Sequence, residues 1–158
     1  MEIPNFNLKE LIECGVHFGH KTQKWNPKME QYIHSVRENV HIIDLTQTMG
    51  MLSTALDTIQ KTVAKGGKIL FVATKKQAAQ QVADLAKDTN QFYVNHRWLG
   101  GMMTNYATIQ KSITKMKEIE VLKTNPNNEF TKKEILKLTN KHIKLVRSLS
   151  GISEMQKA

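Results

Sequence analysis

Between Val40 and Val94 the hydrophobic period of the chain switches repeatedly, and few folds accommodate that sequence of switches. Val40-His41-Ile42-Ile43-Asp44 is a short β-prone run. Thr46 then stands where a helix N-cap would, ahead of a segment reaching about Lys65 in which Leu52, Ala55, Ile59 and Val63 recur at helical spacing. Gly66-Gly67 follows as a stop that can adopt positive φ. Ile69-Leu70-Phe71-Val72-Ala73 is a continuous apolar run of the kind buried on both faces of a parallel sheet, and a second helical stretch places Ala78, Val82 and Leu85 on one face. Phe92-Tyr93-Val94 forms a third strand. Strand, helix, strand, helix, strand in this order predicts βαβ crossovers and an α/β domain built on a parallel sheet.

After residue 104 the pattern becomes purely helical. Tyr106, Ile109, Ile113 and Met116 recur by three and four, and Ile119 and Leu122 prolong the stripe, while Lys111, Lys115 and Lys117 point elsewhere. Asn125-Pro126-Asn127-Asn128 breaks that helix, because proline lacks the amide donor and asparagine favours turns. Thr131 and Glu134 have capping-box spacing, with Phe130 and Ile135 placed as a hydrophobic staple, so a second helix starts there. Its seam is Ile135, Leu138, His142, Leu145 and Leu149. Two such helices joined by a short loop predict an antiparallel coiled-coil hairpin, a basic arm beside the α/β body.

Charge narrows the partners. Of 158 residues 23 are Lys or Arg and 14 are Asp or Glu, a net charge of +9, which points to a polyanion. Residues 1–104 hold 12 basic and 9 acidic side chains (net +3), and 105–158 hold 11 and 5 (net +6), so most of the excess lies in the helical arm. One cysteine, Cys14, excludes an internal disulfide framework and agrees with a reducing compartment. No run of apolar residues is long enough to span a bilayer, and Met1-Glu2-Ile3-Pro4 has the order of neither a secretory signal nor a transit peptide. The expectation is a protein that stays where it is made.

Enzyme chemistry finds little purchase. Ala73-Thr74-Lys75-Lys76 sits where a strand hands over to a helix, the place where α/β proteins bind phosphate groups. Neither the three spaced glycines of a dinucleotide site nor the ending of a P-loop accompanies it. Cys14, His17 and His20 have a spacing that could ligate zinc from one helical face, but Gly15 and Gly19 interrupt the helix and a fourth ligand is not evident. His142, in an apolar seam, reads as a packing or register-setting residue. No cofactor and no catalytic residue is expected.

RNA contact is better supported. Lys21, Lys24, Trp25, Lys28, Tyr32 and Arg37 interleave positive charge with aromatic faces, the mixture that phosphate contact and base stacking require. Arg97-Trp98-Leu99-Gly100-Gly101 repeats it beyond the third strand. With Lys75, Lys76, Lys111, Lys115, Lys132 and Lys133 these cations make up the expected RNA-binding set. Trp25 and Trp98 themselves read as core anchors with solvated charges beside them.

Five segments together resemble the bacterial and organellar small ribosomal subunit protein two family. They are Gly15-Val16-His17-Phe18-Gly19-His20, Trp25-Asn26-Pro27-Lys28-Met29, His41-Ile42-Ile43-Asp44-Leu45, Phe71-Val72-Ala73-Thr74-Lys75-Lys76-Gln77-Ala78, and the run from Asn95-His96-Arg97-Trp98 through Gly100-Gly101 to Asn105. The resemblance implies a flavodoxin- or Rossmann-like sheet domain carrying an inserted coiled-coil hairpin. It places such a protein between head and body of the small subunit, bound to ribosomal RNA and to neighbouring ribosomal proteins, with no catalysis and no nucleotide cofactor. Family members continue further in sequence, so the sheet is expected to be incomplete at the C-terminus, with a separate chain supplying the missing half. The expected division is 1–104 for the α/β domain, 105–150 for the hairpin and 151–158 for the return to the sheet. Lysine outnumbers arginine 20 to 3, as AT-rich coding would produce, which favours an organelle-encoded protein of the mitochondrial matrix, with the bacterial cytoplasm as alternative. Two other functions compete: a nucleotide- or metal-binding α/β enzyme, and a protein-docking module whose helical seam accepts partner helices.

Overall fold

The computed structural model describes residues 6–124 and 130–156, which form two compact units, one up to Gly67 and one from Lys68 onward. The predicted break at Asn125–Asn128 lies outside the described residues.

The first unit holds two helices, α1 (Leu8–Glu13) and α2 (Leu45–Ala64), and three strands, β1 (Phe18–Lys21), β2 (Ile33–Arg37) and β3 (Val40–Ile43). The strands form an antiparallel sheet in the order β1-β3-β2. This corrects the expectation for Val40–Asp44. It does not open a parallel βαβ unit but is the central strand of an antiparallel sheet, because Glu38 (φ 48°) and Asn39 (φ 62°) turn the chain back in a two-residue hairpin with Arg37 opposite Val40. Two successive positive φ values are what the right-handed twist of paired strands requires of so short a turn. Asp44 caps α2, its carboxylate accepting from the Thr46 amide at 3.0 Å, so the cap lies two residues before the predicted Thr46. Gly66 (φ 77°) ends the helix as expected, and Gly67 packs on the Thr62 carbonyl, 2.9 Å from where a Cβ would stand. Of the predicted α2 face, Leu52 and Ile59 are half-buried and Ala55 and Val63 are exposed.

The second unit begins with β4 (Leu70–Val72), α3 (Lys76–Asp88) and β5 (Phe92–Val94), a βαβ crossover as predicted, with β4 and β5 parallel and in register Leu70↔Phe92 to Val72↔Val94. The Ile69 amide donates to the Gln91 side chain at 2.7 Å and the Ala73 amide to the Val94 carbonyl at 2.9 Å, so side chain and backbone extend the short ladder at both ends. The predicted burial of this strand on both faces is corrected, since Val72 is 52% exposed. Among the described residues the parallel sheet has two strands, too few to cover both faces. On α3, Ala78 and Val82 are half-buried in line with the reading, and Leu85 is corrected. Ala83 and Ala86 are buried and Leu85 is 63% exposed, because small residues let the helix approach β5 closely and the bulky leucine is left outside.

Two long helices follow, α4 (Tyr106–Thr124) and α5 (Lys132–Leu149), which pack on each other. The α4 stripe folds as read: Tyr106, Ile109, Ile113, Met116 and Ile119 are buried, and only its continuation to Leu122 is exposed. On α5, Leu138, His142 and Leu145 are half-buried and Leu149 is buried, whereas Ile135 and Phe130 of the predicted staple are both exposed. The capping box itself is present, with Thr131 Oγ1 accepting from the Glu134 amide and the Thr131 amide donating to the Glu134 carboxylate at 2.9 Å. One core unites Val94, Met102, the α4 stripe to Met116, Leu149, Ile152 and Met155. Each such side chain removed from water contributes about 1.5–3 kcal/mol before entropy is charged against it. Tyr106, buried at the head of α4, donates its hydroxyl to the Met155 carbonyl and so ties the two ends of the helical segment together, and its burial pushes the phenol pKa up. Gly151 presses on Tyr93 of β5 where no Cβ could stand. Among the described residues no helix is long and apolar enough to cross a membrane.

Candidate nucleic-acid interface

The expected RNA-binding residues fall into three clusters, and every one of them is exposed. In the first unit, β1 ends at Lys21 and two short 3-10 turns, Thr22–Lys24 and Pro27–Tyr32, carry the chain to β2. The Thr22 amide donates to the Asn39 carbonyl at 2.9 Å, and Asn26 Oδ1 accepts from the Lys28 amide at 3.0 Å. The pyrrolidine ring of Pro27 fixes φ at the start of the second turn. These bonds hold Lys21, Lys24, Trp25 and Lys28 on one connected stretch, with Arg37 at the far end of β2.

Trp25 and Trp98 are 38% and 40% exposed, which corrects the expectation that they anchor cores. Trp25 lies over His41 with ring centroids 5.1 Å apart and planes tilted by 33°. Beneath and beside it a cavity of about 440 Å³ is lined by Trp25, Met29, Tyr32, His41, His20 and Lys24, among others. His41 is 9% exposed, and neither of its ring nitrogens has a hydrogen-bond partner. Sequence reading missed His41. The only signal was its place as the one polar residue inside an apolar strand run.

The second cluster sits at the C-terminal ends of β4 and β5. Lys75 occupies the cap position of α3 without a side-chain cap bond, and Lys76 is the first helical residue. The free amides of a helix start and its dipole favour an anion there. A cavity of about 430 Å³ is lined by Thr74, Lys76, Gln80, Asn95, His96 and Arg147. Arg147 and His96 were not among the expected residues. Arg147 arrives from the last turn of α5, a position that helix periodicity alone does not connect to a strand end. Arg97 and Trp98 follow β5 after Asn95 and His96.

The third cluster is the helical pair. Lys111 and Lys115 are exposed on α4, and Lys132 and Lys133 fill the first turn of α5, where a helix dipole disfavours cations. Thr131 and Glu134 offset that cost locally, and the hydrogen bonds from Thr131 hold the Glu134 carboxyl below its ordinary range. Lys141, also missed, comes against Lys115. Contact with the Lys115 amine, and the repulsion between the two charges, hold the Lys141 ammonium below its usual range. Lys117 is tied to Glu154 at 3.0 Å and is less available.

The proposed zinc spacing does not form a helical face, because α1 ends at Glu13 and Gly15 (φ 72°) turns the chain. Cys14 is exposed, His17 stacks on Phe18 with centroids 4.1 Å apart, and His20 belongs to β1. No group of three potential metal ligands comes together among the described residues.

Residues 11–158 match the family model described as ribosomal protein S2. The small ribosomal subunit protein uS2 of Gluconacetobacter diazotrophicus is 53% identical over 155 residues, covering 98% of this chain and 60% of the relative. That of Sinorhizobium medicae is 52% identical, covering 98% and 61%, and that of Azorhizobium caulinodans is 51% identical over 156 residues, covering 98% and 47%. The chain thus spans about 60% of the length of the first of these relatives. A match over nearly every described residue, at half identity and through all three cationic clusters, establishes that the chain belongs to the ribosomal protein S2 family.

Proposed function

We propose that this chain is a structural constituent of the small ribosomal subunit, acting in translation by binding ribosomal RNA and neighbouring small-subunit proteins between head and body, and that it is not an enzyme. The observation that carries the reading is its half identity, along 98% of its length, to proteins named for the small ribosomal subunit. The physical support is the exposure of Lys21, Lys24, Trp25, Lys28, Arg37, Lys75, Lys76, Arg97, Lys111, Lys115, Lys132 and Lys133, a surface suited to an RNA backbone.

On this reading α4 and α5 form an antiparallel coiled-coil arm. Its support is that Tyr106, at the start of α4, and Leu149, at the end of α5, share one core, while Lys115 and Lys141, midway along each, meet. Residues 1–104 then act as the sheet domain, 105–150 as the arm and 151–158 as the return. As one of two paired strands among the described residues, β4 has an edge suited to further strands, supplied by a separate chain or by more of the same one. The named relatives are bacterial, which favours a bacterial ribosome over the mitochondrial origin that the lysine bias suggests.

Charge reversal at Lys111, Lys115, Lys132 and Lys133, all to Glu, tests the arm. Binding to small-subunit particles, measured by sedimentation, is expected to weaken by at least tenfold at physiological salt. Undiminished binding by a folded variant would contradict arm contact with RNA and leave the arm as a protein-docking element.

A further inference from the structure

We propose that the cavity at the strand ends of the second unit holds one phosphodiester of an RNA backbone, with the Arg147 guanidinium as its principal ligand and Lys76 and His96 beside it. This rests on the RNA-bound reading above and adds to it a defined phosphate site, where that reading needs only a positive surface.

Local structure brings these side chains to one place. The Ala73 amide donates to the Val94 carbonyl at 2.9 Å, so Thr74 and Asn95 leave the parallel ladder next to each other. Thr74 leads through the Lys75 cap to Lys76 in the first turn of α3, and Asn95 leads to His96. Arg147 arrives from a segment distant in sequence. Leu149 is buried in one core with Val94, Val146 packs against that core, and Gly151 presses on Tyr93 of β5. These contacts fix the last turn of α5 beside the end of β5, and Arg147 lines the same cavity of about 430 Å³ as Thr74, Lys76, Asn95 and His96.

The chemistry of the lining selects the ligand. Among the described residues no carboxylate lines the cavity, and neither Lys76 nor Arg147 makes an ion pair. Gln80, which also lines it, donates its amide to both Asp84 oxygens at 2.9 Å, so that carboxylate is engaged one turn further along α3. Lys76, His96 and Arg147 are all exposed, so a ligand can reach their polar ends from solvent. No Trp, Tyr or Phe among the described residues lines the space, so a base finds no broad stacking face. The glycine patterns of nucleotide-binding loops are missing from the turn between β4 and α3. A carboxylate offers two oxygens in one plane and would meet only part of a lining drawn from three segments. A phosphodiester offers two charged oxygens that the planar fork of Arg147 can take as a pair, within reach of further N–H donors. Its ester and ribose oxygens suit the neutral hydroxyl and amide of Thr74 and Asn95.

The test titrates the 158-residue chain with an unstructured uridine hexamer, following the Arg147 side-chain N–H and the His96 ring by nuclear magnetic resonance and affinity by fluorescence anisotropy. Both signals are expected to shift along one saturable curve. Arg147→Lys, checked by circular dichroism for an unchanged fold, keeps the charge and loses the fork, and should bind about tenfold more weakly, the worth of one hydrogen bond to a charged group. Arg147→Gln should reduce the slope of log affinity against log salt by about 0.7, the value for one single-strand phosphate. Hexamer binding that leaves both signals unmoved, with Arg147→Lys equal to the wild type, would overturn the phosphate site and leave charge-driven RNA binding standing. No hexamer binding at low salt would overturn both readings. Uridine monophosphate or inorganic phosphate saturating the same signals as tightly as the hexamer would make this a site for a free ligand and overturn the proposal. A hexaglutamate peptide matching the hexamer would assign the cavity to an acidic protein partner, with the same consequence.

Discussion

Single residues decide several junctions of this chain. Gly151 is the tightest: the carbonyl and ring of Tyr93 occupy the space that any Cβ would need. Gly151→Ala is therefore expected to cost about 1–3 kcal/mol, the usual range for overpacking, read as a lowered thermal midpoint. Gly50, with nothing near its Cβ position, is the control, and Gly50→Ala within α2 should stabilise slightly. Two carboxylates at helix starts set the acid response. Asp44 is held below its ordinary pKa of 3.8 chiefly by the Gln47 side chain, and Glu134 below 4.5 chiefly by Thr131. A depressed carboxylate stabilises the fold above its unfolded pKa, and that contribution is lost as pH falls through the lower folded value. Stability should accordingly begin to fall near pH 4.5 and continue below 3.8, and Asp44→Asn with Glu134→Gln should flatten that slope in acid titrations followed by circular dichroism.

At the level of elements, α4 is the spine of the second unit. Ile113→Ala, at a site 5% exposed, is expected to cost about 2–5 kcal/mol, whereas Leu122→Ala, at 39% exposure on the same stripe, should cost well under half as much in denaturant unfolding. The α4 stripe, the α5 capping box, the Gly66 stop and the β4-α3-β5 crossover were all legible because each rests on local periodicity or local capping chemistry. The antiparallel sheet of the first unit was not. Its register depends on a Glu38-Asn39 turn with no glycine to announce it, and on strands too short to show alternation. The same limit hid part of the candidate site. Lysines beside aromatics could be read directly, but His41, Arg147 and Lys141 become functional candidates only through neighbours distant in sequence. On α3 the sequence reading missed Ala83 and Ala86 and chose Leu85 instead, because alanines carry little hydrophobic signal, yet close helix–strand packing selects them.

The whole molecule presents cations from separate elements on an apolar framework. Lys141 comes against Lys115, and the neighbouring amine holds the Lys141 ammonium below its usual range. The proposed function makes polyanionic RNA the partner. Its most direct test is the affinity of the purified chain for small-subunit ribosomal RNA as salt rises from about 50 to 200 mM. The logarithm of affinity should fall linearly with the logarithm of salt, losing about a thousandfold or more over that range, with the slope reduced by about one for each phosphate-contacting lysine removed. Affinity that does not change with salt, or saturable binding of a free nucleotide that persists in high salt, would contradict it.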